Sequence, residues 1–272
     1  MSTPARRAAG RLAITPSLTP RSLEKRGTPV QAWQARIITL FPEAFPGVLG
    51  LSLTGKALND GLWGLETVDL RGFGLGKHRN VDDTPAGGGA GMVLRADVLG
   101  RAIEMAMRGV PEDRARWPLV CLSPRGRPFT QTMARDWAGA QGVTLICGRF
   151  EGVDQRVIDH FDIAEVSLGD FVLTGGELAA QAMLDATVRL LPDVLGNAAS
   201  VEEESFAAGL LEHPQYTRPA DWAGRAIPPV LMSGNHGAVA RWRQEQAEAL
   251  TRARRPDLWA AYLARKDRDP SA

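Results

Sequence analysis

The stretch Val143–Asp154 reads VTLICGRFEGVD, a short apolar run that passes into a glycine-containing loop. Such a run predicts a buried strand, and Asp154 is well placed to cap a helix over Asp154–Phe161. The same pattern, an apolar run followed by a glycine-containing segment, recurs at 118–127 (PLVCLSPRGR) and at 163–177 (IAEVSLGDFVLTGGE). Because these strands alternate with helical patterns, the sequence predicts an α/β fold with a mostly parallel sheet and helices on both faces.

The surrounding chain extends this pattern and then changes. We expect further strands at 35–41 and 62–70, and helices at 95–108, 130–140 and about 176–191. The segment Leu191–Ser200, LPDVLGNAAS, interrupts the alternation and is typical of a linker. The predicted division is a basic arm over 1–32, an α/β domain over 33–191, a linker over 192–205 and a small helical C-terminal domain over 206–272, with helices at 206–211 and 238–264 and no strands.

Composition limits the class of protein. The 272 residues carry 32 Lys and Arg against 31 Asp and Glu, so the overall charge of +1 says nothing about partners. Cys121 and Cys147 each lie in an apolar run, as reduced and buried thiols do in cytoplasmic proteins. We therefore expect a soluble, cytoplasmic chain, since no run approaches the roughly 18 apolar residues of a membrane span.

The first 32 residues have a composition of their own. Pro-rich and basic, they predict a disordered arm that could touch RNA, and their prolines disfavour the amphipathic helix of a transit peptide. Six basic residues face one acid, Glu24; the basic residues are Arg6, Arg7, Arg11, Arg21, Lys25 and Arg26.

Three glycine-containing loops follow predicted strands, namely LSPRGR (122–127), CGRFEG (147–152) and SLGDFVLTGGE (167–177). In open α/β sheets ligands bind at the carboxyl ends of the strands. Glycines let a ligand approach the backbone, whose N–H and C=O groups can read a purine edge. The loops therefore predict a site for a nucleoside-type ligand.

Several other kinds of site are disfavoured. GLSLTGKA (Gly50–Ala57) lacks the hydroxyl residue of a phosphate-binding loop, and GFGLGK (Gly72–Lys77) lacks the spacing of a dinucleotide fingerprint. No G-x-S-x-G nucleophile motif occurs. We expect no metal site, because the four histidines have no ligand spacing: His78, His160, His213 and His236.

Charged residues beyond the loops have plain structural explanations as well as functional ones. Asp185 and Arg189 can form an ion pair on one helix face, and Glu177 suits a helix start. The triplet Glu202–Glu204 also suits a first helical turn on position alone. Around Trp242, five arginines against two glutamates suit a nucleic-acid backbone or, equally well, a solvated helix face.

Longer motifs make a family resemblance visible from about Ala35 to Ala261. They include ITLFPEAF, KHRNVDDTPAGGGAGMV, LSPRGR, CGRFEGVDQRVID, SLGDFVLTGGELAA, PDVLGNAAS, SFAAGLLEHPQYTRP and PPVLMSGNHGAVARWR, in one order. The chain resembles the bacterial tRNA (guanine-N1)-methyltransferases of the TrmD family, of the SPOUT class. That resemblance implies a trefoil-knotted α/β domain, a homodimer whose subunits share the active site, and methyl transfer from S-adenosylmethionine to N1 of guanosine-37 in the tRNA anticodon stem-loop.

The resemblance also implies the cofactor residues, which lie in the three strand-end loops. Phe150 and Phe171 stand where the family often has tyrosine, which keeps apolar walls for the adenosine. The implied set is Cys121, Leu122, Ser123, Pro124, Gly148, Phe150, Glu151, Leu168, Gly169, Asp170, Phe171, Val172, Leu173, Gly175 and Gly176.

The implied catalytic residues are Arg189 and Glu204. Guanine N1 must lose a proton, so a carboxylate serves as general base and an arginine stabilises charge developing at O6. The family base is an aspartate before a Ser-Phe pair, where this chain has Glu204, one carbon–carbon bond (about 1.5 Å) longer. Either the linker backbone adjusts to this length or Glu203 substitutes; the register with Ser205–Phe206 favours Glu204. Mg²⁺ is left open as an aid to RNA binding or charge balance. The expected RNA contacts are Asp82, His213, Arg218 and Trp242.

Two alternatives stay open. The Glu-for-Asp change allows a tRNA-binding protein on the same fold without activity. A nucleotide-hydrolysing or NAD-dependent enzyme is disfavoured by the failed phosphate-loop and dinucleotide patterns.

Overall fold

A computed structural model describes residues 32–195 and 204–268. Five strands form the main sheet. They are β1 (Trp33–Thr39), β2 (Trp63–Asp69), β5 (Leu119–Pro128), β6 (Gly142–Cys147) and β7 (Ala164–Ser167); the short strands β3 (Asp82–Asp83) and β4 (Val93–Leu94) pair with each other. The sheet order is β2-β1-β6-β5-β7, and every pairing in it is parallel. This confirms the predicted mostly parallel sheet.

Helices cover both faces of the sheet. They are α1 (Ser52–Asn59), α2 (Ala96–Ala106), α3 (Gln131–Gly139), α4 (Gln155–His160) and α5 (Glu177–Val188). Side chains alternate along each strand, so Val143 and Leu145 enter one core with Met183 of α5, whereas Ile146 enters another with Leu99 of α2. Burial on both faces explains why β6 is an apolar run.

Local capping agrees with the sequence. The Asp154 side chain accepts a hydrogen bond from Arg156 N at the start of α4, as predicted for this residue. Thr130 caps α3 in the same way by accepting from Met133 N. β5 runs on through Pro128, so all six residues of LSPRGR, predicted as a loop after the strand, lie within the strand. Its pairing with β7 shifts register between Leu122 and Arg127, which opens the strand locally.

Two predictions for the C-terminal part were wrong. No helix forms over 206–211, because Phe206 and Gly209 have positive φ (72° and 80°) and Phe206 N donates to Leu210 O in a tight turn. A short hairpin, β8 (Asp221–Trp222) and β9 (Arg225–Ala226), occurs where no strand was expected. Its turn residues Ala223 and Gly224 both have positive φ, as two-residue hairpin turns of type I′ require.

Two helices end the described chain, α6 (His236–Arg254) and α7 (Pro256–Lys266). Pro256 at the first position of α7 is tolerated because it needs no N–H partner there, and this confirms a helical stretch broken at Pro256. No helix within residues 32–195 and 204–268 is long and apolar enough to cross a membrane. The trefoil knot and the domain boundaries stay predictions. The arm, Glu202 and Glu203 lie outside the described residues.

Candidate methyl-donor cleft and catalytic pair

The three strand-end loops surround one cleft of about 330 Å³. It lies where β6 and β7 end and where β5 shifts register, and the start of α5 closes one side. The parallel arrangement brings these ends to one edge of the sheet, which is why loops far apart in sequence meet. The predicted residues that line it are Cys121, Leu122, Ser123, Pro124, Gly148, Phe150, Glu151, Leu168, Phe171, Val172, Leu173, Gly175 and Gly176.

Two predicted cofactor residues, Gly169 and Asp170, are not among the lining residues. Asp170 is exposed at the loop that leaves β7. The turn there is closed locally, because the Ser167 hydroxyl donates to Gly169 O (3.0 Å). A ligand that stays within the cleft would therefore not contact Gly169 or Asp170.

Backbone hydrogen bonds hold the loops together. Gly176 N donates to Gly148 O (3.0 Å), which joins the β6 loop to the start of α5. On the other side, Glu151 N donates to Met92 O (2.9 Å) and Leu94 N donates to Gly152 O (3.0 Å). These bonds attach the cleft to the β3–β4 segment that carries Asp82.

Gly176 is required by a close approach. A Cβ there would lie 2.7 Å from Cys147 Cα, closer than side chains approach backbone. In the loop after β6, Phe150 has φ 61° and a half-exposed ring at the cleft. The strained backbone of a non-glycine residue is the kind that clusters at ligand sites.

An ion pair between Arg149, which lines the cleft, and the buried Glu177 was missed by sequence reasoning. Glu177 Oε2 lies 2.7 Å from Arg149 Nη2, with the two side chains 5% and 24% exposed. The contact lacks hydrogen-bond geometry at Oε2, and Arg149 Nε has no partner within the described residues, so charge attraction is its main component. Thr39 donates to Glu177 Oε1 (2.7 Å). Glu177 is therefore more than a helix-start acid. The only sequence signal was its place directly after two glycines.

Two charged residues at the cleft were also absent from the prediction. Arg125 Nη2 lies 2.9 Å from Glu165 Oε1, and both line the cleft. Beside them, burial raises the pKa of Cys121 to about 12. Burial likewise raises the pKa of Cys147. Both thiols stay protonated at neutral pH, so Cys121 is a wall of the cleft and is not a nucleophile.

The predicted catalytic residues contact each other. Arg189, which caps the C-terminus of α5, donates through Nη1 to Glu204 Oε2 (2.7 Å) and through Nη2 to Oε1. Both side chains are 28% exposed. The hydrogen bond from Arg189 holds the pKa of Glu204 below its ordinary value of 4.5, against the opposing effect of burial. The alternative Asp185–Arg189 ion pair is replaced by this fork-shaped contact.

This pair and the cleft lie at opposite ends of α5. Gly176 and Ala179 line the cleft, whereas Arg189 lies just beyond the other end of the helix. At 1.5 Å per residue, Glu177 and Arg189 are separated by roughly 18 Å along the axis. Within one chain, the structure does not bring the predicted catalytic residues to the predicted cofactor residues.

The predicted RNA contacts are divided between two places. His213, Arg218 and Trp242 line a second cavity, of about 420 Å³, in the C-terminal part. Asp82 lies apart from them in β3 and pairs with Leu94 of β4.

Comparison with known proteins tests the resemblance. The family model described as tRNA (Guanine-1)-methyltransferase TrmD matches residues 33–261. A Cereibacter sphaeroides protein named tRNA (guanine-N(1)-)-methyltransferase is 72% identical over 239 residues, which cover 88% of this chain and 96% of that protein. Proteins of the same name from Ruegeria sp. (72% over 236 residues; 87% and 96%) and Bartonella tribocorum (61% over 230 residues; 85% and 96%) are also similar. Because the family model spans most of the chain and these relatives align over nearly their whole length, the chain belongs to the TrmD family of tRNA (guanine-1)-methyltransferases.

Proposed function

We propose that this protein transfers a methyl group from S-adenosylmethionine to N1 of guanosine-37, next to the anticodon of tRNA. The observation that carries the proposal is the cleft of three glycine-containing loops in a chain whose relatives are named tRNA (guanine-N(1)-)-methyltransferases. The test is to incubate the protein with S-adenosylmethionine and a tRNA transcript, and to map methylation by mass. Methyl transfer confined to N1 of guanosine-37 is expected; tRNA binding without transfer would favour the inactive binding protein.

The chemistry of the cleft fits this methyl donor. Leu122, Leu168 and Leu173 supply apolar walls for an adenosine, and backbone groups around Gly148 can contact the purine edge. Glu151 and Glu165 supply negative charge at the cleft, and Arg125 supplies positive charge. A donor that carries a sulfonium, an ammonium and a carboxylate suits this mixture. When bound, it supplies an electrophilic methyl carbon.

Glu204 accepts the N1 proton of guanine in this proposal. With its pKa lowered by Arg189, Glu204 is a carboxylate at neutral pH, the form able to take a proton. A lowered pKa also weakens the base. If guanine O6 takes one donor of Arg189, the hold on Glu204 weakens and its basicity rises as negative charge develops on the purine. The existing pair thus places acceptor and donor side by side for N1–H and O6.

A second copy of the chain would complete the site, so we place the protein in a homodimer. The separation of roughly 18 Å along α5 between cleft and catalytic pair supports this arrangement. An exposed apolar surface supports it too, because such patches mark interaction sites. Its residues come from the segment around α1, the loop before α5 and the first turn of α5: Val48, Leu51, Leu53, Phe171, Val172 and Leu178.

The RNA contacts and the compartment follow from charge and burial. We assign His213, Arg218 and Trp242 to tRNA through the second cavity, and Asp82 through its attachment to the cleft by β4. The free, buried thiols of Cys121 and Cys147 support a reducing, cytoplasmic location.

A further inference from the structure

The second cavity has the composition of a nucleotide site. Its volume of about 420 Å³ lies within the range of small-molecule pockets. Ile227, Leu231 and Val239 form its apolar wall, and Tyr216 and Trp242 add aromatic rings. His213 and Arg218 also line it. The cavity therefore suits a planar ligand with a phosphate that Arg218 can meet.

The aromatic rings of the cavity meet at steep angles. The Trp242 ring centre lies 6.0 Å from that of Tyr216 at 62°, and 6.4 Å from that of His213 at 58°. At such steep angles an edge meets a face, so each contact covers a face of at most one ring. Tyr216 is also 48% exposed. A flat group entering the cavity would find ring faces on which to stack.

The walls are fixed before any ligand enters. Trp242 lies on α6, whose start is capped by Asn235, which accepts a hydrogen bond from Ala238 N (3.1 Å). The segment that leads to Tyr216 is attached to the same helix, since Leu211 N donates to the buried Thr251 hydroxyl (2.8 Å). A preformed site loses less entropy on binding than one that must order itself.

We propose that this cavity holds one unpaired nucleotide of the tRNA anticodon loop, other than the guanosine that is methylated. The base stacks on Tyr216, with Trp242 against its edge because the two ring planes differ by 62°, while Arg218 faces the phosphate backbone. Single-stranded RNA is recognised in this way, with bases splayed onto aromatic rings and phosphates met by arginine. This inference rests on the proposed function. It assigns the cavity to a nucleotide that is stacked for binding and is not itself methylated.

The test uses anticodon stem-loop RNAs with 2-aminopurine, a fluorescent base quenched by stacking, at each loop position except the reacting guanosine. The full-length protein is titrated without methyl donor. We expect one position to change fluorescence on binding, and Tyr216→Ala to abolish that change and weaken affinity about 5- to 150-fold, equivalent to 1–3 kcal/mol for one stacked base. Tyr216→Phe keeps the ring and should behave like the wild type.

Matched variants separate stacking from folding. Trp222 is an aromatic residue that is 68% exposed and does not line the cavity, so Trp222→Ala should leave both signals unchanged. Val239→Phe fills the cavity and should reproduce the loss at an unchanged melting temperature. The proposal is overturned if no loop position responds, if Tyr216→Ala keeps the response, or if Trp222→Ala weakens binding equally. The fluorescence titration contains no methyl donor, so it is independent of the methylation assay. A fluorescence response together with no methylation in that assay would refute the proposed activity and leave the stacking site standing.

Discussion

Helix α5 carries an arginine–glutamate pair at each end, and the two pairs differ mainly in the burial of the glutamate. At the N-terminus, Glu177 is 5% exposed and is held by Arg149, which is 24% exposed, and by Thr39. At the C-terminus, Glu204 and Arg189 are each 28% exposed and are joined by a two-pronged contact. One pair joins loops below the cleft, whereas the other presents its groups towards solvent.

The difference teaches how burial separates structural from chemical roles. A buried pair cannot lose a partner without leaving an uncompensated charge, so it fixes geometry. A half-exposed pair can exchange a partner for substrate at low cost, because water replaces what is lost. We therefore expect changes at Glu204 to affect chemistry and changes at Glu177 to affect stability.

Removing the base should have the largest effect. Glu204→Gln keeps the shape of the side chain but cannot accept the N1 proton. We expect the single-turnover rate of methyl transfer to fall about 10²- to 10⁴-fold. Affinity for S-adenosylmethionine, measured by calorimetry, should stay unchanged, since Glu204 lies away from the cleft lining.

A mixing experiment extends this prediction to the shared site. Chains with Glu204→Gln are combined with chains whose cleft is blocked by Gly176→Val, a change that collides with Cys147. If one subunit's base serves the other's cleft, mixed dimers regain activity that neither variant shows alone. A near wild-type rate for Glu204→Gln would contradict the assignment of the base.

Breaking the Arg149–Glu177 pair should have the next largest effect, and this effect should be on the free energy of unfolding. Glu177→Ala leaves Arg149, which is 24% exposed, without a counter-charge and the buried Thr39 without its acceptor. We expect a loss of about 1–3 kcal/mol in the free energy of unfolding, measured by urea denaturation.

The matched control is the exposed pair of Arg255 and Asp257. Asp257→Ala should leave the urea midpoint unchanged, because exposed ion pairs contribute little. Equal midpoints for Glu177→Ala and the wild type would show that the buried pair does not hold the loops.

The smallest effect concerns pH. The folded-state pKa of Glu204 is lowered by Arg189, so the pair stabilises the folded state above the ordinary pKa of 4.5 and loses this effect as the pH falls through the lowered pKa. The free energy of unfolding of the wild type, measured by urea denaturation, should exceed that of Glu204→Gln slightly at about pH 7, by on the order of 1 kcal/mol or less. This difference should vanish in acid. A difference that grows as the pH falls would have the wrong sign.

Local signals predicted local structure well. The Asp154 cap, the apolar run of β6 and the helix break at Pro256 follow from interactions within a few residues. The C-terminal part was harder, because the turn at Phe206 and the hairpin at Ala223–Gly224 depend on positive φ values that are rare for residues other than glycine.

The candidate site was predictable in part. Motifs at the strand ends indicated most of the cleft, because parallel strands must bring their carboxyl ends to one edge. Two contacts could not be predicted. Arg149 pairs with Glu177, 28 positions away, and Arg125 pairs with Glu165, 40 positions away. The packing of strands and helices sets the distance between the residues of each pair.

By itself, the sequence determined the α/β class, the glycine-containing loops and the family, because these depend on short-range periodicity and on motifs in a fixed order. Only the tertiary structure decided that Glu177 is buried, that Arg189 binds Glu204, and that the aromatic residues of the C-terminal part line one cavity. The physical reason is that burial and charge pairing depend on tertiary contacts between distant segments. A single sequence gives the residue types but not those contacts.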